Sequence, residues 1–532
     1  MTSLERLPQL LRLAAGMPSY LRAPVDPAAA RRLMADRMAR RGELFVEWMR
    51  RLVFDRPESL YGRLIDRARI RQDELARQVR AEGVESTLEG LRDRGVYLTL
   101  DELQQRVPVR RDGVTIEQGP DALANPLLGA GIPGRSSGSR SSGTLVAYTW
   151  AFLEEEAAAE CLLYEMHGVR DAPAAIWLPG PPGIAGIHNM LLHLKAARPP
   201  ARWFSHSAPP TWTRSPFHGL VLDFMGATSR ACGVPAPRLQ HAGLEASAEV
   251  ADWLAGKGAT RSVRSLKTYA SSAVRVAASA RDRGLDLSGS VVFTGGEPLT
   301  AERRRFIESS GLTVRPRYVT TESGLVAGAC PHAHDSAPDV MHVYQDRLTL
   351  TGGVTRAEGL NRSERSLAFT ALSLHTPRVL LNAELGDFGS LDTRDCGCVF
   401  GSLGLRLHVS HVTSPEKVTG EGMNLHATHL HDIVARLVAA AGGSPDDYQL
   451  RTTNDARGLP AITVVVHPAV AAFDQGTFFH ALWRELGAAG GGAALAAVVW
   501  RDAGTVQIVR EIPRTTSGHK WLPADKRDAA GV

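Results

Sequence analysis

Apolar side chains recur at helical spacing over the first 110 residues. Within 28–54 they form one stripe, which predicts an amphipathic helix packed against a core. The stripe consists of Leu33, Met34, Met38, Phe45, Trp48, Met49 and Leu52. We therefore predict a mostly helical extension over residues 1–110 that packs onto a larger domain.

Short apolar runs alternate with longer helical patterns from about residue 125 to residue 330. Buried strands are predicted at 174–180, 219–224 and 289–296, and helices at 247–254, 265–283 and 300–309. Strand–helix alternation is typical of an α/β domain with a mainly parallel sheet. Because short strands and turns replace this pattern from about 340 to 410, we expect a β-rich subdomain there.

A polar segment at 411–421 separates this region from a compact unit at the C-terminal end. Its pattern predicts helices at 425–441 and 475–488, and strands at 448–453, 461–467 and 497–500. We place a boundary near 405–418. The expected organisation is an α/β N-terminal domain of residues 1–410 and a small, mobile α+β domain of residues 411–532.

Composition narrows the class of protein. The 532 residues exceed what one hydrophobic core normally supports, so we expect at least two domains. An apolar fraction of 44% and a charged fraction of 22% are ordinary for a globular protein. The net charge of +5 is small for this length, and no basic stripe with interleaved aromatic residues predicts nucleic-acid binding.

The sequence gives no signal for secretion or for a membrane. No run of about 18 apolar residues predicts a membrane span. The first residues, which include Glu5 and several prolines, do not resemble a signal peptide. Five cysteines are too few for a disulfide scaffold. We therefore expect a cytoplasmic protein without membrane or nucleic-acid partners.

A Ser/Gly-rich segment at 135–144 leads directly into an apolar, strand-like run. Small residues allow successive backbone N–H groups to turn inward and form an anion-binding nest, and Arg140 adds a charge that can pair with phosphate. The segment lacks the G-x-x-x-x-G-K-[ST] pattern of a Walker A loop. Flexible linkers share this composition, but the adjoining strand-like run favours a phosphate-binding loop.

This segment resembles the Ser/Thr/Gly-rich loop of the adenylate-forming superfamily, in particular that of the phenylacetate-CoA ligase branch, which reads roughly S-S-G-T-T-G-K-P-T-x-x-x-Y-T. The matching residues are Ser136, Ser137, Gly138, Ser139, Thr144, Tyr148 and Thr149. At 141–143, Ser-Ser-Gly replaces Gly-Lys-Pro, so the family lysine is missing and Arg140 is its expected substitute. The resemblance implies phosphate binding by Ser136, Ser137, Gly138, Ser139, Arg140, Ser141 and Thr144.

Two further segments resemble superfamily motifs in the expected order. Gly295, Gly296, Glu297, Pro298 and Leu299 resemble the G-G-E-P-L segment that lies against the adenine. The run Tyr-Val-Thr-Thr-Glu-Ser-Gly at 318–324 resembles Y-G-x-T-E, with Val319 in place of glycine. The resemblance assigns Tyr318 to the adenine, Thr321 to a phosphate and Glu322 to Mg²⁺, which prefers oxygen ligands.

Two more segments complete the series. Glu-Leu-Gly-Asp at 384–387 resembles T-G-D, whose aspartate accepts hydrogen bonds from the ribose hydroxyls, and this assigns Asp387 to the ribose. Asn-Ala-Glu at 382–384 replaces the family's Arg-Tyr-Arg. Residues 511–520 resemble P-x-T-x-x-G-K with one residue inserted before the lysine, which makes Lys520 the mobile charge that bridges the acid and the α-phosphate.

Together these segments imply an ATP-dependent ligase that works in two steps. An acid reacts with ATP to give an acyl-type adenylate and pyrophosphate, with Thr321, Glu322 and Lys520 as catalytic residues, and CoA is the commonest acceptor in the family. The C-terminal domain is expected to move as a lid about a hinge beside Glu416 and Lys417. An aromatic acid fits the resemblance, and the weak candidates for contact with it are His188, His206, Lys267 and Tyr269.

Cysteines and histidines lie between and after these motifs. The phenylacetate-CoA ligase branch can carry a structural Zn²⁺ bound by Cys, His, Cys and Cys, which the resemblance places on Cys330, His342, Cys396 and Cys398. Three thiolates and one imidazole complete a closed tetrahedral site. His332 and His334 are alternative nitrogen ligands, and a cluster without metal, in which Cys330 is simply a buried apolar residue, stays open as well.

Two other functions stay open. ATP-dependent diazotases resemble acyl-CoA ligases but activate nitrite for reaction with an aromatic amine, and the departures at 141–143 and 382–384 leave room for such chemistry. The other is a degenerate, non-catalytic binding subunit, which Val319 and the shifted lysine favour. The retained carboxylates of Glu322 and Asp387 argue against it.

Overall fold

The computed structural model describes most of the chain. The described residues are 3–119, 121–135, 145–181, 183–206, 216–256, 263–332, 337–356, 364–414, 417–444, 447–455, 458–471, 474–489, 491–513 and 524–525. None of the helices in these ranges combines the length and the apolar composition needed to cross a membrane.

Helices dominate residues 3–103, as the sequence predicts. They are α1 (Ser3–Arg22), α2 (Pro27–Ala39), α3 (Arg41–Met49), a π-helical turn (Arg50–Phe54), α4 (Leu60–Arg67), α5 (Gln72–Asp93) and α6 (Leu100–Leu103). The stripe predicted as one helix is divided, because the backbone leaves the helical conformation at Arg40 between α2 and α3. Its large members Phe45, Trp48 and Met49 are fully buried, as expected for a packed face.

Two antiparallel hairpins follow these helices. They are β1 (Val109–Arg111) with β2 (Val114–Ile116), and β3 (Ile132–Arg135) with β4 (Leu145–Tyr148). The second hairpin leads directly into α7 (Trp150–Met166). Thr149 caps this helix, because its hydroxyl accepts the N–H of Phe152 at 3.3 Å. The cap fixes the hairpin relative to the helix.

The next region alternates strands and helices and forms the parallel half of the central sheet. Its elements are β5 (Ala174–Trp177), α8 (Ala185–Lys195), β6 (Arg202–Ser205), α9 (Pro216–Ala231), β7 (Leu239–His241), α10 (Ser247–Leu254), β8 (Ser265–Tyr269), α11 (Ala270–Asp282), β9 (Val291–Gly295), α12 (Ala301–Glu308) and β10 (Thr313–Thr320). The strands pair parallel in the order β10–β9–β8–β5–β6–β7. Strands β5, β8 and β9 are buried along their whole length, which is typical of a parallel sheet covered on both faces.

The antiparallel half continues the same sheet. It contains β11 (Gly324–Ala329), β12 (Met341–Val343), β13 (Leu348–Gly352), β14 (Arg365–Ala371), β15 (Ala383–Thr393), the short helix α13 (Val399–Ser402) and β16 (Leu407–Thr413). The full order is β13–β14–β15–β16–β12–β11–β10–β9–β8–β5–β6–β7. The predicted β-rich region is therefore continuous with the parallel strands through the antiparallel pair β10–β11.

The C-terminal unit has its own small sheet. Its elements are β17 (Lys417–Gly420), β18 (Met423–His426), α14 (Ala427–Ala440), β19 (Tyr448–Asn454), β20 (Pro460–Val466), α15 (Gln475–Ala488), α16 (Gly491–Ala503), β21 (Val506–Arg510) and β22 (Ala524–Asp525). Four of its strands form a sheet in the order β21–β20–β19–β22. The predicted class, α/β with a β-rich part and a small α+β C-terminal part, is confirmed.

Three predicted elements are wrong. The apolar run at 219–224 lies inside α9 instead of a strand, because a short apolar run has no periodicity that separates the two. The predicted strand at 497–500 lies in α16, which ends before Gly504 at φ +64°, and the real strand is β21. The predicted helix at 265–283 begins with strand β8, which pairs on both sides with its neighbours in the sheet.

Candidate functional site

The hairpin of β3 and β4 carries the segment predicted to bind phosphate. The two strands pair with Arg135 opposite Leu145, so both ends of the intervening loop lie side by side. The predicted binding residues of this loop lie outside the described residues: Ser136, Ser137, Gly138, Ser139, Arg140, Ser141 and Thr144. The structure thus places the two ends of the loop, and the role of its residues stays a prediction.

Tyr148, at the end of β4, connects this hairpin to the Tyr-Val-Thr-Thr-Glu motif. Its hydroxyl donates to the backbone carbonyl of Thr321 at 2.9 Å, and its ring stacks on His188 with centroids 5.3 Å apart. The Nε2 atom of His188 lies 2.5 Å from a carboxylate oxygen of buried Glu156, whose other oxygen accepts the N–H of Leu325. His188 thus supports the base of the hairpin, and its predicted contact with substrate stays a prediction.

The turn between β10 and β11 presents Thr321 and Glu322. It is held by Thr320, whose hydroxyl oxygen accepts the N–H of Ser323 at 3.1 Å. Gly324 ends the turn at φ +71°, and a Cβ there would collide with helix α7. The turn therefore has a fixed shape, with half-buried Glu322 at its tip.

Tyr318 and Asp387 form a buried pair beside this turn. The Tyr318 hydroxyl donates to the Asp387 carboxylate at 2.6 Å, and burial, together with the Asp387 charge, raises the pKa of Tyr318 well above its usual range. The charge of Glu322 raises the same pKa further. Ser414 donates to the other Asp387 oxygen at 2.5 Å. The sequence did not single out Ser414, which lies near the predicted hinge and carries no motif signal.

The Gly-Gly-Glu-Pro segment contacts the C-terminal unit. The Glu297 carboxylate accepts the backbone N–H of Ser271 at 2.7 Å and that of Gly422 at 2.6 Å. The ring of Tyr269 lies between Gly296 and Gly422, because a Cβ added at either glycine would collide with it. The side chain of Glu297 thus joins α11 to the β17–β18 turn, and its predicted contact with the nucleotide stays a prediction.

A second contact reinforces this junction. Arg275 donates to the buried carboxylate of Glu421 at 2.6 and 3.2 Å, and Glu421 is a non-glycine residue at φ +52°. Arg303, which follows Pro298, donates to the carbonyls of Pro298 and Gly458 at 2.9 and 2.7 Å. Backbone and side chains of the C-terminal unit therefore lie directly against the segment 297–303.

Residues 382–384, which replace the Arg-Tyr-Arg of the resembled family, make hydrogen bonds within this chain. The side-chain amide of Asn382 donates to the carbonyls of Leu88 and Val96 at 2.8 and 3.1 Å. The Glu384 carboxylate accepts the N–H of Thr355 at 3.0 Å. These hydrogen bonds of Asn382 and Glu384 are made within the protein, and they hold α5 and a neighbouring loop against β15.

Lys267 lies in a buried ion network. Its ammonium group is 2.6 Å from the Glu160 carboxylate and also donates to the hydroxyl of Tyr164. Burial, followed by the charge of Arg317, lowers the pKa of Lys267 to about 7. Arg317 pairs with the same carboxylate at 2.6 Å. This network lies between β8, β10 and α7, which fits a structural role better than the predicted contact with substrate.

His206 and Tyr269 lie together at the carboxyl ends of β6 and β8. Their ring centroids are 5.6 Å apart, and His206 Nε2 lies 3.3 Å from the hydroxyl of Ser272. Burial lowers the pKa of His206 to about 3, so the ring is neutral near pH 7. In open parallel sheets, ligands bind at the carboxyl ends of strands. The two residues stay predicted substrate contacts.

The predicted zinc ligands converge. The sulfur atoms of Cys396 and Cys398 lie 3.3 Å apart, and each lies 3.1–3.2 Å from Nε2 of His342. The Cys330 and Cys398 thiols also interact, which raises the pKa of Cys330. Tetrahedral zinc with Zn–S bonds of about 2.3 Å has ligand edges of roughly 3.8 Å, so small shifts would seat an ion. The sequence missed His408, whose nitrogen lies within 4.8 Å of ligand atoms of Cys330, His342 and Cys396.

The surroundings of the cluster fix the orientation of the His342 ring. Nδ1 of His342 lies 2.9 Å from the carbonyl of Leu405, which leaves Nε2 facing the thiols. His332 is exposed, and its backbone interacts with Cys330. His334 lies outside the described residues. Of the three histidines that the sequence offers, His342 is therefore the one whose position the geometry supports.

The predicted lysine and hinge fall largely outside the described part. Lys520 and Glu416 are not described, and of Lys417 only its place at the start of β17 is known. After Lys520 in the sequence, β22 pairs parallel with β19, with Ala524 opposite Leu450. The role of Lys520 stays a prediction.

Comparison with known proteins identifies the fold. A 2-hydroxyisobutyryl-CoA ligase, solved with 2-HIB-AMP and CoA in its thioesterification state, matches with a TM-score of 0.52 and 14% identity over 96% of this chain and 92% of that chain. The same enzyme in its postadenylation state gives 0.45, with 14% identity over 95% and 91%. An amide bond synthetase variant from Marinactinospora thermotolerans gives 0.42, with 14% identity over 87% and 91%. No family model and no curated protein matches the sequence.

Proposed function

We propose that this chain, which has the fold of the adenylate-forming ligases, activates a small-molecule acid with ATP to give an adenylate and pyrophosphate. One observation carries the proposal. The hydrogen bond of Tyr148 to Thr321 and that of Tyr318 to Asp387 bring three separate motifs around Glu322. All three motifs resemble nucleotide-binding segments, and these contacts support one shared nucleotide site.

Each group in this site has a chemical task. The Tyr318 ring would offer a flat apolar face for adenine, and the Asp387 carboxylate, an acceptor-only group, would accept hydrogen bonds from the ribose hydroxyls. Residues 136–144 would surround the phosphates with backbone N–H groups. Glu322 would hold Mg²⁺, whose charge neutralises phosphate oxygens when it is bound.

The proposed first step is an in-line displacement at the α-phosphorus. A carboxylate oxygen of the acid forms the new P–O bond, the bond to the β-phosphate oxygen breaks, and pyrophosphate leaves with the electron pair. Lys520 would stabilise the negative charge that develops on the α-phosphate. Most of the rate acceleration would come from positioning of the two reactants.

The second proposed step transfers the acid to an acceptor, for which CoA is the leading candidate. Support comes from the fold shared with a CoA ligase that was solved with CoA. We also propose residues 411–532 as a lid domain that moves against residues 1–410. The contacts of Gly422 with Glu297 and of Glu421 with Arg275 would hold the lid in one of its positions.

We further propose a structural Zn²⁺ on Cys330, His342, Cys396 and Cys398, with an aromatic acid as substrate, as in the phenylacetate-CoA ligase branch. The donor set fits zinc, since the sulfurs of Cys396 and Cys398 each lie 3.1–3.2 Å from Nε2 of His342 and the Cys330 thiol interacts with that of Cys398. A bound ion would fix the link between β12 and the segment before α13. It would take no part in the reaction.

A pyrophosphate-release screen tests the proposal. Purified protein with Mg²⁺ and ATP is offered aryl and aliphatic acids, each with and without CoA, and separately nitrite with aminoaryl acids. We expect pyrophosphate and AMP with at least one acid, and a loss of at least about 100-fold in the Asp387→Ala variant. Release with nitrite alone would favour the diazotase function. No release and no ATP binding would favour a non-catalytic subunit.

A further inference from the structure

His408 lies on β16 directly opposite His342 on β12. The two strands pair antiparallel, and the neighbouring pair is Met341 opposite Val409. Residues directly opposite each other in such a pair have their side chains on the same face of the sheet. The two imidazole rings accordingly lie with centroids 4.0 Å apart, and His408 is only 2% exposed. The register of the sheet therefore brings a second imidazole to the predicted zinc ligands.

One nitrogen of the His408 ring is buried without a hydrogen bond. Nδ1 lies 2.8 Å from the carbonyl oxygen of Arg406. Because a carbonyl oxygen accepts hydrogen bonds, Nδ1 carries the proton, and Nε2 of the neutral ring has a free lone pair. No described residue gives this Nε2 a hydrogen-bond partner. A buried polar atom without a partner costs free energy, and a bound metal ion would use the lone pair.

His408 completes a set of four donors. Ligand atoms of Cys330, His342, Cys396 and His408 all lie within 4.8 Å of one another. A zinc ion with bonds of about 2.0–2.3 Å has ligand edges of roughly 3.3–3.8 Å, so side-chain shifts of about 1 Å would close this set around an ion. Two sulfurs and two imidazole nitrogens are a typical donor set for tetrahedral zinc.

Cys398 is not a member of this set, and its sulfur has a contact of its own. The Sγ atom accepts the N–H of Gly401 at 3.4 Å and thereby caps α13. It also lies 3.1 Å from Nε2 of His342 and 3.3 Å from the sulfur of Cys396. The cluster thus offers five donors, one more than structural zinc takes. Cys398 and His408 are the two donors that can alternate at the fourth position.

We propose that His408 is a further ligand of this metal site, and that it takes the fourth position on the ion when Cys398 does not. The inference rests on the proposed zinc site and is independent of the proposed reaction. The exchange replaces a thiolate by a neutral ring, so it removes one negative charge from the ligands. The ion would stay four-coordinate when the Cys398 thiolate is withdrawn.

Metal analysis of the full chain, purified with zinc, tests this role. We expect Cys398→Ser to keep about one zinc per chain, because four donors remain. Serine retains a side-chain oxygen that can cap α13. Adding His408→Gln to Cys398→Ser should lower the zinc content several-fold. The matched control adds His332→Gln instead, which changes an exposed histidine and should leave the zinc content unchanged.

X-ray absorption of the bound zinc adds a readout that a merely structural role of His408 would not give. It separates sulfur at about 2.3 Å from imidazole nitrogen at about 2.0–2.1 Å. The wild type should show three sulfurs and one imidazole on the ion. The Cys398→Ser variant should show two sulfurs and two imidazoles.

The outcomes distinguish the ligand role of His408 from the zinc site itself. Loss of zinc in Cys398→Ser, or a single imidazole on its ion, would overturn the inference. Full zinc content in the variant that combines Cys398→Ser with His408→Gln would overturn it as well. If that double variant does not fold, the imidazole count in Cys398→Ser decides. Wild-type protein that binds no zinc would refute the proposed zinc site, and this inference with it.

Discussion

Tyr318 donates a hydrogen bond of 2.6 Å to Asp387, although 69 residues separate them in the sequence. They lie on β10 and β15, which are four places apart in the sheet order. The bond therefore spans the junction between the parallel and antiparallel halves. Because both residues belong to segments that resemble nucleotide-binding motifs, the bond joins two parts of the proposed site.

The Tyr318–Asp387 bond should contribute measurably to stability. Tyr318→Phe removes the donor and leaves a buried carboxylate with one partner fewer, so the free energy of unfolding should fall by about 1–3 kcal/mol. Tyr344→Phe is the control, because that buried hydroxyl has no hydrogen-bond partner among the described residues. Urea unfolding of the two variants measures the difference. Equal effects would mean that the bond contributes nothing to stability.

The contact between Arg275 and Glu421 should hold the β17–β18 turn in place. Arg275→Met leaves a buried carboxylate without its cation, so hydrogen exchange at 417–426 should become at least about tenfold faster. Adding Glu421→Gln in the same chain should recover part of the protection. Arg436→Met removes a more exposed ion pair within the C-terminal unit and should leave exchange at 417–426 unchanged.

Metal analysis should find about one zinc per chain, as a closed four-ligand site predicts. Cys396→Ser and His342→Gln should each lower the zinc content several-fold and reduce thermal stability. Cys161→Ser is the control, because this buried cysteine lies on α7 and is not one of the clustered ligands. A zinc content below about 0.2 per chain in the wild type would contradict a structural metal site.

Stability should fall on acidification because buried histidines are held neutral. The pKa of His206 is about 3 in the folded protein and about 6.5 in an unfolded chain. The unfolded state therefore binds more protons than the folded state below pH 6.5. The contribution of His206 to the free energy of unfolding is complete above pH 6.5 and is lost between pH 6.5 and 3.

His206→Gln tests this contribution directly. The variant should reduce the pH slope of the unfolding free energy between pH 6 and 4 by up to about 1.4 kcal/mol per pH unit. The control His375→Gln changes an exposed histidine and should leave the slope unchanged. Urea unfolding at several pH values measures both slopes. A slope in the His206 variant equal to that of the wild type would contradict a histidine kept neutral by burial.

The sequence predicts those parts of the site that local chemistry dictates. The glycine at 324 is required by a positive φ and by the nearness of α7, and the apolar runs of β5 and β9 reflect burial on both faces. Cysteine and histidine spacing, together with the family resemblance, identified a cluster that does converge. These features can be predicted because each depends on a pattern of only a few neighbouring residues in the sequence.

The remaining features depend on contacts between distant segments. Glu297 binds the backbone of Gly422, and Arg275 binds Glu421, yet neither bond leaves a local pattern. Nothing near Lys267 in the sequence indicates a partner for its charge, whereas in the fold the Glu160 carboxylate forms an ion pair with it. The run at 219–224 is helical because tertiary packing decides the structure of short apolar segments.

A structure with Mg²⁺ and a non-hydrolysable ATP analogue tests the central claim most directly. The account predicts the ribose within hydrogen-bonding distance of Asp387, the adenine against the Tyr318 ring and the metal on Glu322. The triphosphate would then lie along the loop between β3 and β4. A nucleotide bound on another surface, or one that leaves Asp387 and Glu322 free of contact, would contradict the account.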